Sequence, residues 1–126
     1  MLSERSHPLL RVIALAQGLY FLATGIWPFV SLHTFLAVTG PKADIWLVKT
    51  VAALVTAVGL VLLVAQARRP VSDEIVLLGI GTAAGLAGID VTYVSVGRIP
   101  PIYLVDAAIE GLIVVAWLAA WWLGRR

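Results

Sequence analysis

The sequence contains no cysteine and few charged residues. Without cysteine, the chain has no disulfide framework, no thiolate metal site and no thiol nucleophile. Charged residues make up 13% of the 126 residues, whereas soluble domains contain about 25%. With 61% hydrophobic residues and a mean hydropathy of +1.00, the composition indicates an integral membrane protein whose first partner is the lipid bilayer.

The sequence also lacks the patterns that bind metals, nucleotides or nucleic acids. It has two histidines, and they form no HxxxH pair. The glycines between residues 79 and 88 follow no predicted strand and lie among apolar residues, so they do not form a nucleotide-binding turn. The net charge of +2 is small, and no basic domain is present. We therefore expect no metal site, no cofactor and no nucleic-acid partner.

Four apolar segments are each long enough to cross a bilayer, which takes roughly 20 residues. They cover about residues 10–30, 45–65, 75–96 and 102–123. The connections between them are short, so neighbouring helices must run in opposite directions. The sequence predicts an all-α membrane protein, an antiparallel four-helix transmembrane bundle formed by a single domain over residues 1–126. Pro28 is expected to kink or end the first helix, because it lacks an amide proton.

The basic residues are distributed unequally between the two ends of this bundle. Six fall on the side of the termini and three on the other side: Arg5, Arg11, Arg68, Arg69, Arg125 and Arg126 against Lys42, Lys49 and Arg98. The positive-inside rule then predicts that both termini lie in the cytoplasm. We expect an integral protein of a bacterial inner membrane.

The last apolar segment carries two carboxylates, Asp106 and Glu110. They are four residues apart and therefore share one face of a helix. A charge at bilayer depth costs about 2.5–3.5 kcal/mol on insertion scales, so such residues face protein or water. An ionisable residue in this position predicts a functional site.

Two more ionisable residues, Lys49 and Asp90, are predicted at the same depth as Asp106 and Glu110, from a rise of about 1.5 Å per residue. We expect Lys49 to contact at least one of the three acids, directly or through one water. Asp106 is expected to pair with Lys49 or Arg98. Three acids and one lysine leave a surplus of negative charge, so either a carboxyl is protonated, as in a proton-sharing Asp106/Glu110 pair, or another cation is present.

The polar layer predicts a pocket open towards the outer leaflet that binds a lipophilic or amphiphilic small molecule. In an acid–base mechanism, an isomerisation or cyclisation, the Asp106/Glu110 pair would donate a proton and Asp90 would accept one. The predicted ligand-binding residues are Lys49, Tyr93, Tyr103, Trp46, Trp117 and Thr24. Trp117 has a second interpretation as a packing residue. A proton- or cation-coupled transporter and a structural or assembly subunit remain as alternatives, and the sequence leaves open whether the protein is an enzyme.

Two further patterns predict contacts between helices. Gly81 and Gly85 form a GxxxG pair, which allows close approach of two helices inside the bundle or between protomers. On that basis we expect a homo-oligomer. In the first segment, Gln17, Tyr20 and Thr24 lie along one polar stripe, which we interpret as a source of hydrogen bonds between helices.

Overall fold

The structure is a computed structural model that describes residues 7–68 and 70–124. Over these residues the chain is entirely helical apart from its connections: α1 (His7–Val30), α2 (Leu32–Thr39), α3 (Ile45–Ala67), α4 (Asp73–Ser95) and α5 (Tyr103–Gly124). Four of the helices, α1, α3, α4 and α5, are long and apolar enough to cross a membrane. The predicted all-α four-helix membrane bundle is confirmed. Four of the arginines used to predict orientation lie outside the described residues: Arg5, Arg69, Arg125 and Arg126.

The short helix α2 packs against the end of α1. Pro28 does not end α1, which continues to Val30. The hydroxyl of Ser31 then accepts a hydrogen bond from the amide of Thr34 and caps α2. The indole of Trp27 donates to the Thr34 hydroxyl at 2.8 Å, and its ring meets Phe35 edge-on at 5.3 Å. These contacts fold the first connection over one end of the bundle, which we call the α2 half.

Helices α1 and α3 are in close contact along their backbones. A Cβ atom on Gly25 would lie 2.8 Å from the amide nitrogen of Thr56 and 2.9 Å from the carbonyl oxygen of Ala52. A Cβ on Gly59 would lie 2.9 Å from the amide nitrogen of Leu22. Only glycine fits at these positions, because the neighbouring atoms belong to the backbone of the facing helix.

The GxxxG pair of α4 does not take part in this packing. Gly81 and Gly85 are exposed, and a Cβ on either would meet nothing within 4 Å. The predicted contact inside the bundle is therefore absent, while a contact between protomers remains a prediction. A small-residue pair permits close approach but does not select a partner. In this chain the close approach is made by glycines of α1 and α3.

The buried apolar core lies in the half opposite α2, where α1 begins and α3 ends. Its fully buried side chains are Leu10, Ala14, Leu62, Val71, Val76, Trp117 and Ala120. At this end the Arg11 side chain donates to the backbone oxygen of Gln66 at 2.8 Å, which joins the start of α1 to the end of α3. This half of the bundle is filled by side chains, and the cavity described next lies in the α2 half.

Candidate functional site

Three carboxyl groups meet in the α2 half, as the estimated depths predict. Asp106 and Glu110 lie on successive turns of α5, and Asp90 lies near the end of α4. Asp106 is within hydrogen-bonding reach of both other carboxyls. Glu110 is 1% exposed and Asp90 6% exposed. We call these three residues the carboxyl cluster.

The hydrogen bonds of the carboxyl cluster are incomplete. The hydroxyl of Tyr20 donates to Asp106 Oδ1, so the partner of Asp106 is a tyrosine and not the predicted Lys49 or Arg98. Asp90 Oδ2 and Glu110 Oε1 are buried and have no donor. Ionised carboxylates only accept hydrogen bonds, so neighbouring acids satisfy one another only when a proton lies between them. The cluster therefore requires a proton or an external cation.

Lys49 does not supply that cation. Its side chain is exposed on α3 and makes no ion pair with Asp90, Asp106 or Glu110 among the residues that the structure describes. The prediction from depth fixed the level of Lys49 along the helix axis. It did not fix the direction in which the side chain points, and Lys49 is exposed and does not line the cavity.

A different lysine, Lys42, lies at the cavity. Its ammonium donates to the backbone oxygen of Thr39 at 3.3 Å, to the Thr39 hydroxyl at 2.8 Å and to the backbone oxygen of Gly40 at 3.0 Å. It also lies 5.3 Å from the ring centroids of Phe35 and Tyr103. Lys42 thus joins the connection after α2 to the start of α5. No pattern in the sequence predicts this role, because Tyr103 is distant along the chain.

A cavity of about 600 Å³ extends from the carboxyl cluster through the α2 half. Helices α1, α2, α3 and α5 form most of its wall, and Leu86 is the contribution of α4. The polar and charged side chains that line it include Tyr20, Thr24, Lys42, Asp106 and Glu110, and its aromatic side chains also include Phe21, Trp27, Phe35 and Tyr103. The remaining lining is mainly aliphatic.

The cavity opens sideways between apolar residues. Leu47 and Val51 on α3, Ile102 just before α5 and Val105 on α5 line the cavity and are also 42–56% exposed. They lie close to the starts of two helices long enough to span a membrane. In a bilayer, an opening with such a rim faces the acyl chains near one surface.

The residues predicted to bind a ligand divide into two groups. Thr24 and Tyr103 line the cavity. Trp46 and Tyr93 are exposed, 67% and 42% respectively, and do not line it. Trp117 is fully buried in the core, which agrees with its second interpretation as a packing residue. As with Lys49, the sequence predicts the helix and the depth of these residues. It does not predict which side of the helix faces the cavity.

Trp117 belongs to a buried hydrogen-bonded group in the packed half of the bundle. Its indole donates to Gln17 Oε1 at 2.6 Å, and Gln17 Nε2 donates to the backbone oxygen of Gly79 at 3.0 Å. Gln17 Nε2 also lies 3.3 Å from the Thr82 hydroxyl. Gln17 and Tyr20 therefore form the hydrogen bonds between helices that the polar stripe of α1 predicts.

Asp90 lies in the cluster without lining the cavity. Its carboxyl is reached through Asp106, whereas Asp106 and Glu110 both line the cavity directly. Asp90 can therefore exchange a proton with Asp106 but is not placed to take one from a bound molecule. This changes its predicted role from direct acceptor to a group that acts through its neighbour.

The polar side chains at the cavity are of types that exchange protons. Two carboxyls and a tyrosine hydroxyl stand at its polar end, and apolar side chains form the rest of its wall. Comparison of the chain with protein-family models, characterised proteins and solved structures finds no match.

Proposed function

We propose that this integral membrane protein binds a lipophilic or amphiphilic small molecule in the cavity of its α2 half. The observation that carries the proposal is a cavity of about 600 Å³ that ends at a fully buried carboxyl, Glu110, with an unpartnered oxygen. Small-molecule sites have volumes of about 300–1,000 Å³, mostly apolar walls and a few converging polar groups. The cavity has all three features.

The opening favours a ligand that arrives from the lipid. Its rim consists of aliphatic side chains of α3 and α5, so an acyl or alkyl chain can pass it without losing apolar contacts. A polar head entering first would reach Tyr20, Asp106 and Glu110. This arrangement suits a molecule that has one polar end and is mainly hydrocarbon elsewhere.

The same groups support a more specific proposal, in which the protein catalyses acid–base chemistry on the bound molecule. Glu110 would deliver a proton to one atom of the bound molecule, and Asp106, held by the Tyr20 hydroxyl, would remove a proton from another. The number of protons is then unchanged, as in the movement of a double bond. The proton taken up by Asp106 would then pass to Glu110, its neighbour in the cluster, which restores the starting state. No cofactor is needed for such a step.

The two alternatives have less support. A transporter needs a polar route through the other half of the bundle, and that half holds the apolar core and the Trp117–Gln17 pair. A purely structural cluster would be dry and fully paired. The carboxyl cluster instead touches a cavity and keeps two buried oxygens without a donor.

Filling the cavity should prevent binding. Val48 lines the cavity on α3 and is half-buried, so Val48→Trp places an indole in the binding space. Val61 lies on the same helix with its side chain exposed, so Val61→Trp is a matched control. The probe is a C16 alcohol with a diazirine in the chain, added to phosphatidylcholine vesicles that contain the protein. After illumination, mass spectrometry maps the labelled residues.

We expect the wild type and Val61→Trp to be labelled at cavity residues, and Val48→Trp to lose about tenfold of that labelling, which corresponds to 1.4 kcal/mol. Labelling spread evenly over all lipid-facing residues of the wild type would contradict the proposal. So would full retention of cavity labelling in Val48→Trp.

A further inference from the structure

The polar end of the cavity has carboxyl groups, and Lys42, which lines the same cavity, forms no ion pair with them. Among residues 7–68 and 70–124, no lysine or arginine forms an ion pair with Asp90, Asp106 or Glu110. Lys42 directs its three donors to oxygens of Thr39 and Gly40. Lys49 is exposed and does not line the cavity. A buried carboxylate without a partner costs several kcal/mol, so each of these carboxyls either holds a proton or gains a cationic partner.

The unpartnered oxygen belongs to a residue that lines the cavity. Glu110 is 1% exposed, lines the cavity, and keeps Oε1 free of any donor. Asp106 lies one turn away and also lines the cavity, with Oδ1 held by the Tyr20 hydroxyl. A head group with several N–H donors could reach both carboxyls. An alcohol could donate only one hydrogen bond.

The aromatic residues of the cavity favour a cation as well. Tyr20, Phe21, Trp27, Phe35 and Tyr103 all line it. Ring faces attract ammonium groups electrostatically, most strongly where water is excluded. Two of these rings already hold a cation in the structure, because the Lys42 ammonium lies 5.3 Å from both Phe35 and Tyr103.

We propose that the ligand is an amphiphilic amine, whose protonated amino head binds Glu110 and Asp106 while its alkyl chain lies along the apolar wall towards the opening beside α3 and α5. This inference rests on the proposed function and names its ligand class. A small inorganic cation fits less well, since it would leave most of an apolar cavity of about 600 Å³ without a partner.

Three probes that differ only in their heads test this ligand class. A C16 amine, a C16 alcohol and a C16 carboxylate, each with the same chain diazirine, are compared at equal mole fraction in phosphatidylcholine vesicles. We expect the amine to label cavity residues of the wild type about tenfold more than the alcohol. The carboxylate should label them least, because the acids repel it.

Glu110→Gln provides a second measurement. The glutamine keeps the shape of the side chain but carries no negative charge, so the ratio of amine labelling to alcohol labelling should fall towards one. Glu74→Gln is the matched control, since Glu74 is exposed at the start of α4 outside the cavity. It should leave the order of the three probes unchanged.

The outcomes separate this inference from the proposed function. If the alcohol or carboxylate labels the cavity as well as the amine, and Val48→Trp removes that labelling, the cavity binds amphiphiles and the amine assignment is wrong. If no probe labels cavity residues of the wild type above the level in Val48→Trp, both proposals fail. The comparison of the three probes on the wild type decides the ligand class even if Glu110→Gln does not fold.

Discussion

Gly25→Leu is expected to cost about 3 kcal/mol or more of the free energy of unfolding, the upper end of the range for overpacked sites. The reason is that the first added atom already meets backbone, with a Cβ 2.8 Å from the amide nitrogen of Thr56 and 2.9 Å from the carbonyl oxygen of Ala52. These atoms belong to the main chain of α3, so relief requires the two helices to separate. The better helix propensity of leucine, worth up to about 1 kcal/mol, is too small to compensate.

The matched control for this prediction is Gly81→Leu. It makes the same chemical change on α4, where a Cβ meets nothing within 4 Å. Unfolding of both variants in detergent, followed by tryptophan fluorescence, should show a large loss of stability for Gly25→Leu and little change for Gly81→Leu. Equal stabilities of the two variants would contradict the packing of α1 on α3.

Gly81→Leu also tests the predicted homo-oligomer. If the GxxxG face of α4 joins two protomers, leucine at this position should shift the protein towards monomer in sedimentation or crosslinking experiments. The fold of each chain should stay intact, because a Cβ at Gly81 meets nothing within 4 Å in residues 7–68 and 70–124. An unchanged oligomeric state would exclude this face as the interface.

The sequence predicted the features of this fold that depend only on how far each residue lies along its helix axis. Helix number and approximate bounds follow from hydropathy, because the membrane sets the length of each apolar segment. The convergence of Asp90, Asp106 and Glu110 follows from equal depths measured from the connections. Both predictions use only the rise per residue and need no knowledge of which helices touch.

What the sequence did not predict depends on rotation about the helix axes. Lys49, Trp46 and Tyr93 lie on membrane-spanning helices but are exposed and do not line the cavity. In a membrane, the outer face of a helix is also apolar, so hydrophobic periodicity does not separate inside from outside as it does in water. For the same reason, the sequence did not predict that the close contact between helices is made at Gly25 and Gly59 and not at Gly81 and Gly85.

Trp117→Ala is expected to cost about 3 kcal/mol, the lower end of the range for removing a buried aromatic side chain. Lipid chains are as apolar as the bundle interior, so the loss comes mainly from packing and from one hydrogen bond. Without the indole, Gln17 Oε1 loses its donor at 2.6 Å, and a buried acceptor without a partner costs about 1–3 kcal/mol. The core between α1, α4 and α5 also loses its largest fully buried side chain.

Trp46→Ala is the control for this prediction, since Trp46 is 67% exposed on α3. Its stability should stay within about 1 kcal/mol of the wild type, as expected of a surface substitution.

Trp117→Phe then separates packing from ligand contact. The ring is retained but the donor is lost, so we expect lower stability with unchanged labelling of the cavity by the C16 probes. Reduced labelling at unchanged stability would instead make Trp117 part of the binding wall.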